Sequence, residues 1–293
     1  MYEASKDKTV SIRGVLRYLK VSRSGYHSWK RRKEKGYISK QEKKKKEVIE
    51  RIKELHEESH QIYGAPKITK KLEEEGVKIT ERTVGKYMKE RGIKAHYSKP
   101  YTVTTTNSNF SNELKNILQR EFRPENPNAS WCSDITYIWT IDEGFVYLTS
   151  IMDLYSRKII AWELAKDLKA EHVIKAIKKA KVKRKVSEAL VLHSDRGVQY
   201  TCDDYQEETK GMKCSYSKKG TPYDNACIES FHAVIKREWL WRYKLYNYEE
   251  AYRSVFEYIE GFYNTTRIHS HCNYVSPNAY EKQYELKQTL SII

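Results

Sequence analysis

No two cysteines in this chain stand in a CxxC arrangement. The five that occur, Cys132, Cys202, Cys214, Cys227 and Cys272, are odd in number and scattered. That argues against a zinc ribbon or a disulfide framework and fits reduced thiols in a reducing compartment, packed as small hydrophobes. No run approaches the roughly 18 apolar residues of a membrane span. The opening MYEASKDKTV has no apolar signal core, and no lipidation motif is visible. The expectation is a cytoplasmic, nucleoid-associated protein without membrane attachment. An internal repeat and a sustained heptad are missing as well.

What is abundant is positive charge. Lys plus Arg number 55 against 39 Asp plus Glu, a net charge of +16 on 293 residues. A chain with that excess is drawn to a polyanion, and nucleic acid is the first candidate.

Composition divides the chain into zones. Residues 1–40 read as a helix-turn-helix-like segment: a short helix from Val10 to Leu19, the turn KVSRSG, and a basic second helix near Ser24. Residues 41–95 form a second such unit. Val48, Ile49, Ile52 and Leu55 recur at helical spacing over 41–59. A helix closed by Gly76 follows, and Thr80 is placed to cap another that stops at Gly92, with Val84, Tyr87 and Met88 on its buried face. A plain helical bundle is the alternative for this zone. Residues 96–126 are a polar linker. Residues 127–293 hold the strand-like runs 131–139, 145–152, 158–164 and 189–195, a helix near 170–182, and two long closing helices near 224–242 and 248–264. DEG at 142–144 makes a hairpin of the first two strands. The whole is an α/β fold with a mixed sheet behind all-α helix-turn-helix domains.

Three acids stand out. Asp134 lies inside a strand-like run, where Asp is disfavoured and a desolvated carboxylate needs a partner or a metal. Asp195 ends the apolar run ALVLHS, at the carboxyl end of a buried strand, where α/β sheets bind ligands. Glu229 sits in the first turns of a helix and shares a face with His232, Ala233 and Lys236. Converging carboxylates make a hard oxygen site suited to Mg²⁺ or Mn²⁺, and two such ions suit phosphoryl displacement. Taken singly, each acid reads more readily as a surface or capping residue than as a metal ligand.

The motifs around them settle the reading. WCSDITYI, HSDRGVQY and KKGTPYDNACIESFHAVIKRE resemble the integrase-core transposases of insertion sequences, most closely the OrfB proteins of the IS-three family. HQIYGAPKITKKLEEEGVKITERTVGKYMKERGIKA is similar to that family's helix-turn-helix segment, and YNTTRIHSHCNYVSPNAY to its C-terminal signature. The resemblance covers nearly the whole chain. It implies an RNase H-like, retroviral integrase-type catalytic core and a metal-bound Asp-Asp-Glu triad at Asp134, Asp195 and Glu229. It further implies two Mg²⁺ (or Mn²⁺) ions per site, cleavage at 3′ ends of the element and strand transfer. The implied partners are the terminal inverted repeats, target DNA, at least a second copy of the chain, and an OrfA product or fusion. Asp195 follows Asp134 by 61 positions, as in the family; 33 residues separate Asp195 from Glu229, two fewer than the family pattern, with the shortening expected in QEETKGMKCS.

Phosphate contacts are expected from Lys99, Arg196, Lys218, Lys219, Lys236, Arg237 and Arg267, with Lys236 foremost. Trp131, Trp139, Tyr147 and Trp162 read as core residues. Tyr223, Asp224 and Asn225 read as helix-capping, and His193 either as a neighbour of a metal ligand or as packed. HEESH at 56–60 fits the H-E-x-x-H zinc signature, but its helix is highly charged and no third ligand emerges, so no zinc is expected. A non-catalytic DNA-binding regulator, or a decayed transposase, fits the charge and the helical units equally well. An RNase H-type nuclease acting on RNA–DNA hybrids would share the metal site.

Overall fold

The computed structural model describes residues 11–34, 40–96, 114–184, 186, 189–218 and 220–290. Two expected DNA contacts, Lys99 and Lys219, lie outside those residues.

The basic first zone folds as α1 (Ile12–Tyr18) and α2 (Arg23–Glu34). The next gives α3 (Lys40–Glu58), α4 (Ala65–Glu74) and α5 (Glu81–Glu90). The Thr80 hydroxyl accepts from Thr83 N–H at 3.3 Å and so satisfies one orphan donor of α5. Gly76 and Gly92 follow α4 and α5 with φ of +79° and +68°, a left-handed turn that any Cβ would strain. Ile52, Leu55, Ile68, Leu72 and Val84 close a small core that is continuous with that of the following domain.

Five strands form the sheet: β1 (Ser130–Thr140), β2 (Gly144–Asp153), β3 (Ile159–Ala165), β4 (Val191–Ser194) and β5 (Lys213–Tyr216). Their order is β3-β2-β1-β4-β5, and only β2 runs against the others. Helix α6 (Ala170–Lys183) covers one face, packing Val173, Ala176 and Ile177 with Trp131, Ile151 and Leu192. Helix α8 (Ala226–Glu238) covers the other, packing Ile228, Phe231 and Ile235 with Cys132, Leu148 and Met152. Each of those buried isoleucines contributes on the order of 1.5–3 kcal/mol. The short α7 (Asp203–Glu208) precedes β5, with Gly211 at φ +85° turning the chain between them.

The closing region departs from expectation. α8 ends at Glu238 and breaks into a tight turn, Leu240–Arg242. α9 (Tyr248–Phe256) continues as a π-helical stretch, Glu257–Tyr263. A further helix, α10 (Pro277–Leu290), lies beyond the two expected. The π stretch receives the helical domain: His60 packs edge-on against Phe262 and Trp239, and the Tyr63 hydroxyl accepts from Ile268 N–H at 2.9 Å. HEESH thus splits between two contacts. His56 Nδ1 faces the Tyr63 carbonyl at 3.1 Å, while His60 sits past the helix end at φ +55°.

Candidate active site

Register brings the first two acids together. β1 and β4 are parallel, with Cys132 opposite His193 as the last pair. Carrying that register two residues on sets Asp195 beside Asp134, so the 61-residue interval is the offset between two neighbouring strands. Strands in a sheet lie about 4.8 Å apart, and residues two steps apart share a face. Beyond Cys132 no strand flanks this edge of β1 among the described residues. Glu229 comes from the first turns of α8, which crosses β1.

The three carboxylates feel one another. Asp195 is pushed up to about 6 by burial and then by Asp134, although the Gly197 N–H donates to its Oδ1 at 2.9 Å and opposes the shift. Glu229 is pushed up to about 7 by burial, then by Asp134 and Asp195. Both residues are exposed at the surface although protein crowds their carboxyls, so solvent screening limits how far burial and mutual repulsion raise them. Their ligand atoms do not all crowd within 4.8 Å; among the described residues only the surface trio Asp167, Glu171 and His172 does so. A site holding two cations about 3.5–4 Å apart spreads its carboxylates over a wider span than one ion requires.

Sequence reasoning placed His232 on the right face but gave it no task. Its Nδ1 lies 3.2 Å from Asp134 Oδ2 and its Nε2 lies 3.2 Å from the Ser150 hydroxyl on β2. With Nδ1–H donating to the carboxylate, Nε2 accepts from Ser150, and the aspartate is aimed from behind. Lys236 completes this face. Its ammonium sits 4.6 Å over the Tyr137 ring, and burial lowers its pKa against the upward pull of Asp134. Ser133 and Tyr200 hydroxyls, 3.1 Å apart, form the floor between β1 and the turn after β4.

Other expectations change. Arg267 is buried and grips Glu238 with two 2.7 Å bonds, so it is no phosphate ligand. Arg196 is also structural: its guanidinium donates to the carbonyls of Ser217 and Leu114. Lys218 is exposed and Arg237 donates within α8 to the Ala233 carbonyl. Trp131 and Trp162 are buried, but Trp139 is 59% exposed because β1 runs past the helices that cover the sheet. Asp224 and Asn225 cap nothing with their side chains. Burial pushes Asp224 up, but the Lys218 N–H, Arg120 and Asn116 together hold it below the usual range. His193 is packed: its nitrogens face the Ser215 and Ser217 hydroxyls at 2.9 and 3.1 Å, and burial lowers its pKa to about 4.

Residues 124–222 and 210–277 match the Integrase core domain, and residues 43–101 match the HTH-like domain. The transposase InsF for insertion sequence IS3A of Escherichia coli strain K12 is 34% identical over 275 residues, 93% of this chain and 94% of that one. The chain belongs to the IS3 family of transposases. A 31 kDa protein of insertion element IS600 from Shigella sonnei is likewise 34% identical, over 266 residues, covering 90% of this chain and 96% of that protein. In the solved intasome of simian T-cell lymphotropic virus with PP2A regulatory subunit B56 gamma, one chain matches at TM-score 0.45 and 15% identity, covering 78% of this chain and 73% of that one. The transposase core is RNase H-like, and no helix among the described residues is long and apolar enough to cross a membrane.

Proposed function

We propose that Asp134, Asp195 and Glu229 form the catalytic centre of this transposase, cutting the 3′ ends of its insertion sequence and joining them to target DNA. The observation that carries this reading is the convergence of three acids from separate elements: the parallel register of β1 and β4 sets Asp195 beside Asp134, and the first turns of α8 bring Glu229 near enough that both aspartates raise its pKa. The donor set is all hard oxygen, which fits Mg²⁺ or Mn²⁺ and disfavours softer metals. When bound, two such ions supply an activated water and stabilise charge on the entering and leaving oxygens.

The chain's own residues do the positioning. Asp134 is held by His232, Asp195 by the Gly197 N–H, and Glu229 by the turns of α8. Water adds to the scissile phosphorus and the 3′ oxygen leaves; that 3′-OH then adds to a target phosphodiester and displaces its 3′ oxygen. Lys236 stands beside Asp134 to steady a phosphate, with Lys218 and Arg237 as outer contacts. Helices α1–α5 hold the DNA ends, under the proposed division 1–40, 41–95, 96–126 and 127–293. Two ends require two centres, hence at least a dimer, with the OrfA product or fusion as partner.

The test is Mg²⁺-dependent cleavage of the element's own ends by the protein together with its OrfA. Glu229→Gln should lose cleavage and keep DNA binding. A native assembly that binds those ends and never cuts them would leave a regulator, and preference for RNA–DNA hybrids would mark a nuclease.

A further inference from the structure

A cavity of about 480 Å³ opens on another face of α8 from the acids. Its walls include Arg123, Arg157, Arg267, His269, Ser230 and Ser270, and no carboxylate lines it. Most of one wall comes from the RIHSH portion of the C-terminal signature, for which the catalytic reading has no use. The first residues of α8, Ala226 and Cys227, also face it, at the positive end of a 13-residue helix.

Arg157 is the decisive group. It is 92% buried, its Nη2 donates to the Phe122 carbonyl at 2.7 Å and faces His271 Nδ1 at 3.4 Å, and its Nη1 has no oxygen or nitrogen partner, while the guanidinium also bonds the weakly accepting Cys227 thiol. No ion pair among the described residues neutralises it. A buried guanidinium with an orphan donor costs several kcal/mol unless an anion meets it. The turn does not call for arginine either, since φ is +61° at this residue, where glycine would be relaxed.

The histidines add donors without adding charge. His271 Nε2–H donates to the Tyr155 carbonyl at 2.9 Å, which leaves Nδ1 as an acceptor towards Arg157. His269 Nδ1 accepts from the His271 N–H at 3.2 Å, so its proton sits on Nε2 as a spare donor. Burial, then Arg267 and Arg157, pushes His269 down to about 3, which reports a positive field in this region.

We propose that this cavity is a phosphate-binding site, built on the Arg157 Nη1 and the start of α8, that seats a backbone phosphate of bound DNA outside the catalytic cleft. The oxyanion assignment is independent of the catalytic triad; only the source of the phosphate rests on the chain's action on DNA. Arg123 and Ser270, both exposed, stand at the mouth. Arg267 contributes field only, being bound to Glu238.

The experiment uses full-length protein in metal-free buffer, so no metal ion can bridge the acids to phosphate. Inorganic phosphate should raise Tm above that in chloride at equal ionic strength. Arg157→Lys and Ser270→Asp should each abolish that rise. For a short duplex, either variant should lower the slope of log affinity against log salt by about one contact. Glu285→Gln, on the exposed face of α10, should change neither readout, which ties the effect to this cavity. If Arg157→Lys fails to fold, Ser270→Asp carries the test. A native protein indifferent to phosphate, or variants that keep the response, would overturn the site. A phosphate response with an unchanged salt slope would keep the oxyanion assignment and reject DNA as its source.

Discussion

Glu229 and Glu238 stand nine positions apart on one helix and end in opposite states. Glu238, near the C-terminus of α8, is held by Arg267 through two short bonds and by the Tyr258 hydroxyl at 2.8 Å. Burial pushes its pKa up, but these partners and Lys67 prevail and hold it below the usual carboxylate value. Glu229, near the N-terminus, meets two aspartates instead, and its pKa rises to about 7. Residue type and helix are the same; the neighbours decide. A carboxylate with a guanidinium is a structural part, whereas one facing other acids holds its proton to higher pH.

The comparison breaks most readily at Glu238. Changing it to Ala strands Arg267 in the core and should cost about 3–5 kcal/mol in denaturant unfolding. A loss near zero would show that the pair is not the anchor its geometry suggests. Glu229→Gln should reduce cleavage by at least about 100-fold, since even residues behind metal ligands cost 10–100-fold, while its Tm is unchanged or higher. His232→Ala should weaken Mg²⁺ affinity by about 10-fold through a loosened Asp134; an unchanged Mg²⁺ titration would remove His232 from the site.

The smallest effect is in pH. Asp195 and Glu229 have folded pKa values raised from 3.8 and 4.5 to about 6 and about 7. The unfolded chain therefore releases these protons first, and stability falls as pH climbs through that window. Glu238 has the opposite sign: its stabilisation is present above 4.5 and is lost as pH falls through its lowered folded value. Tm measured from pH 4 to 8 should show Glu229→Gln declining less than the native chain, and added Mg²⁺ should flatten the native curve.

The candidate acids were nominated partly by local signals and otherwise by the motifs around them. An aspartate inside WCSDITYIW breaks a short-range preference, while one closing ALVLHS and a glutamate in the first turn of a helix stand where such residues are ordinary. The fixed interval of 61 is a strand register written in residue numbers. What stayed hidden depends on distant partners. Arg267 read as a phosphate ligand until Glu238, 29 positions away, claimed it. His232 gains its task from Ser150, 82 positions away on β2. Trp139 read as core because no local pattern says that β1 outruns the helices beneath it. α10 was missed because its exposed, mixed face carries little periodic signal.

The shortness of β4 has a consequence of its own. It stops at Ser194 after four residues, while β1 continues to Thr140. A longer β4 would gain ladder bonds and a more regular sheet. The missing rungs leave the upper half of β1 with a single ladder neighbour, so an insertion that lets β4 grow should yield a sturdier protein with a stiffer edge at the two aspartates.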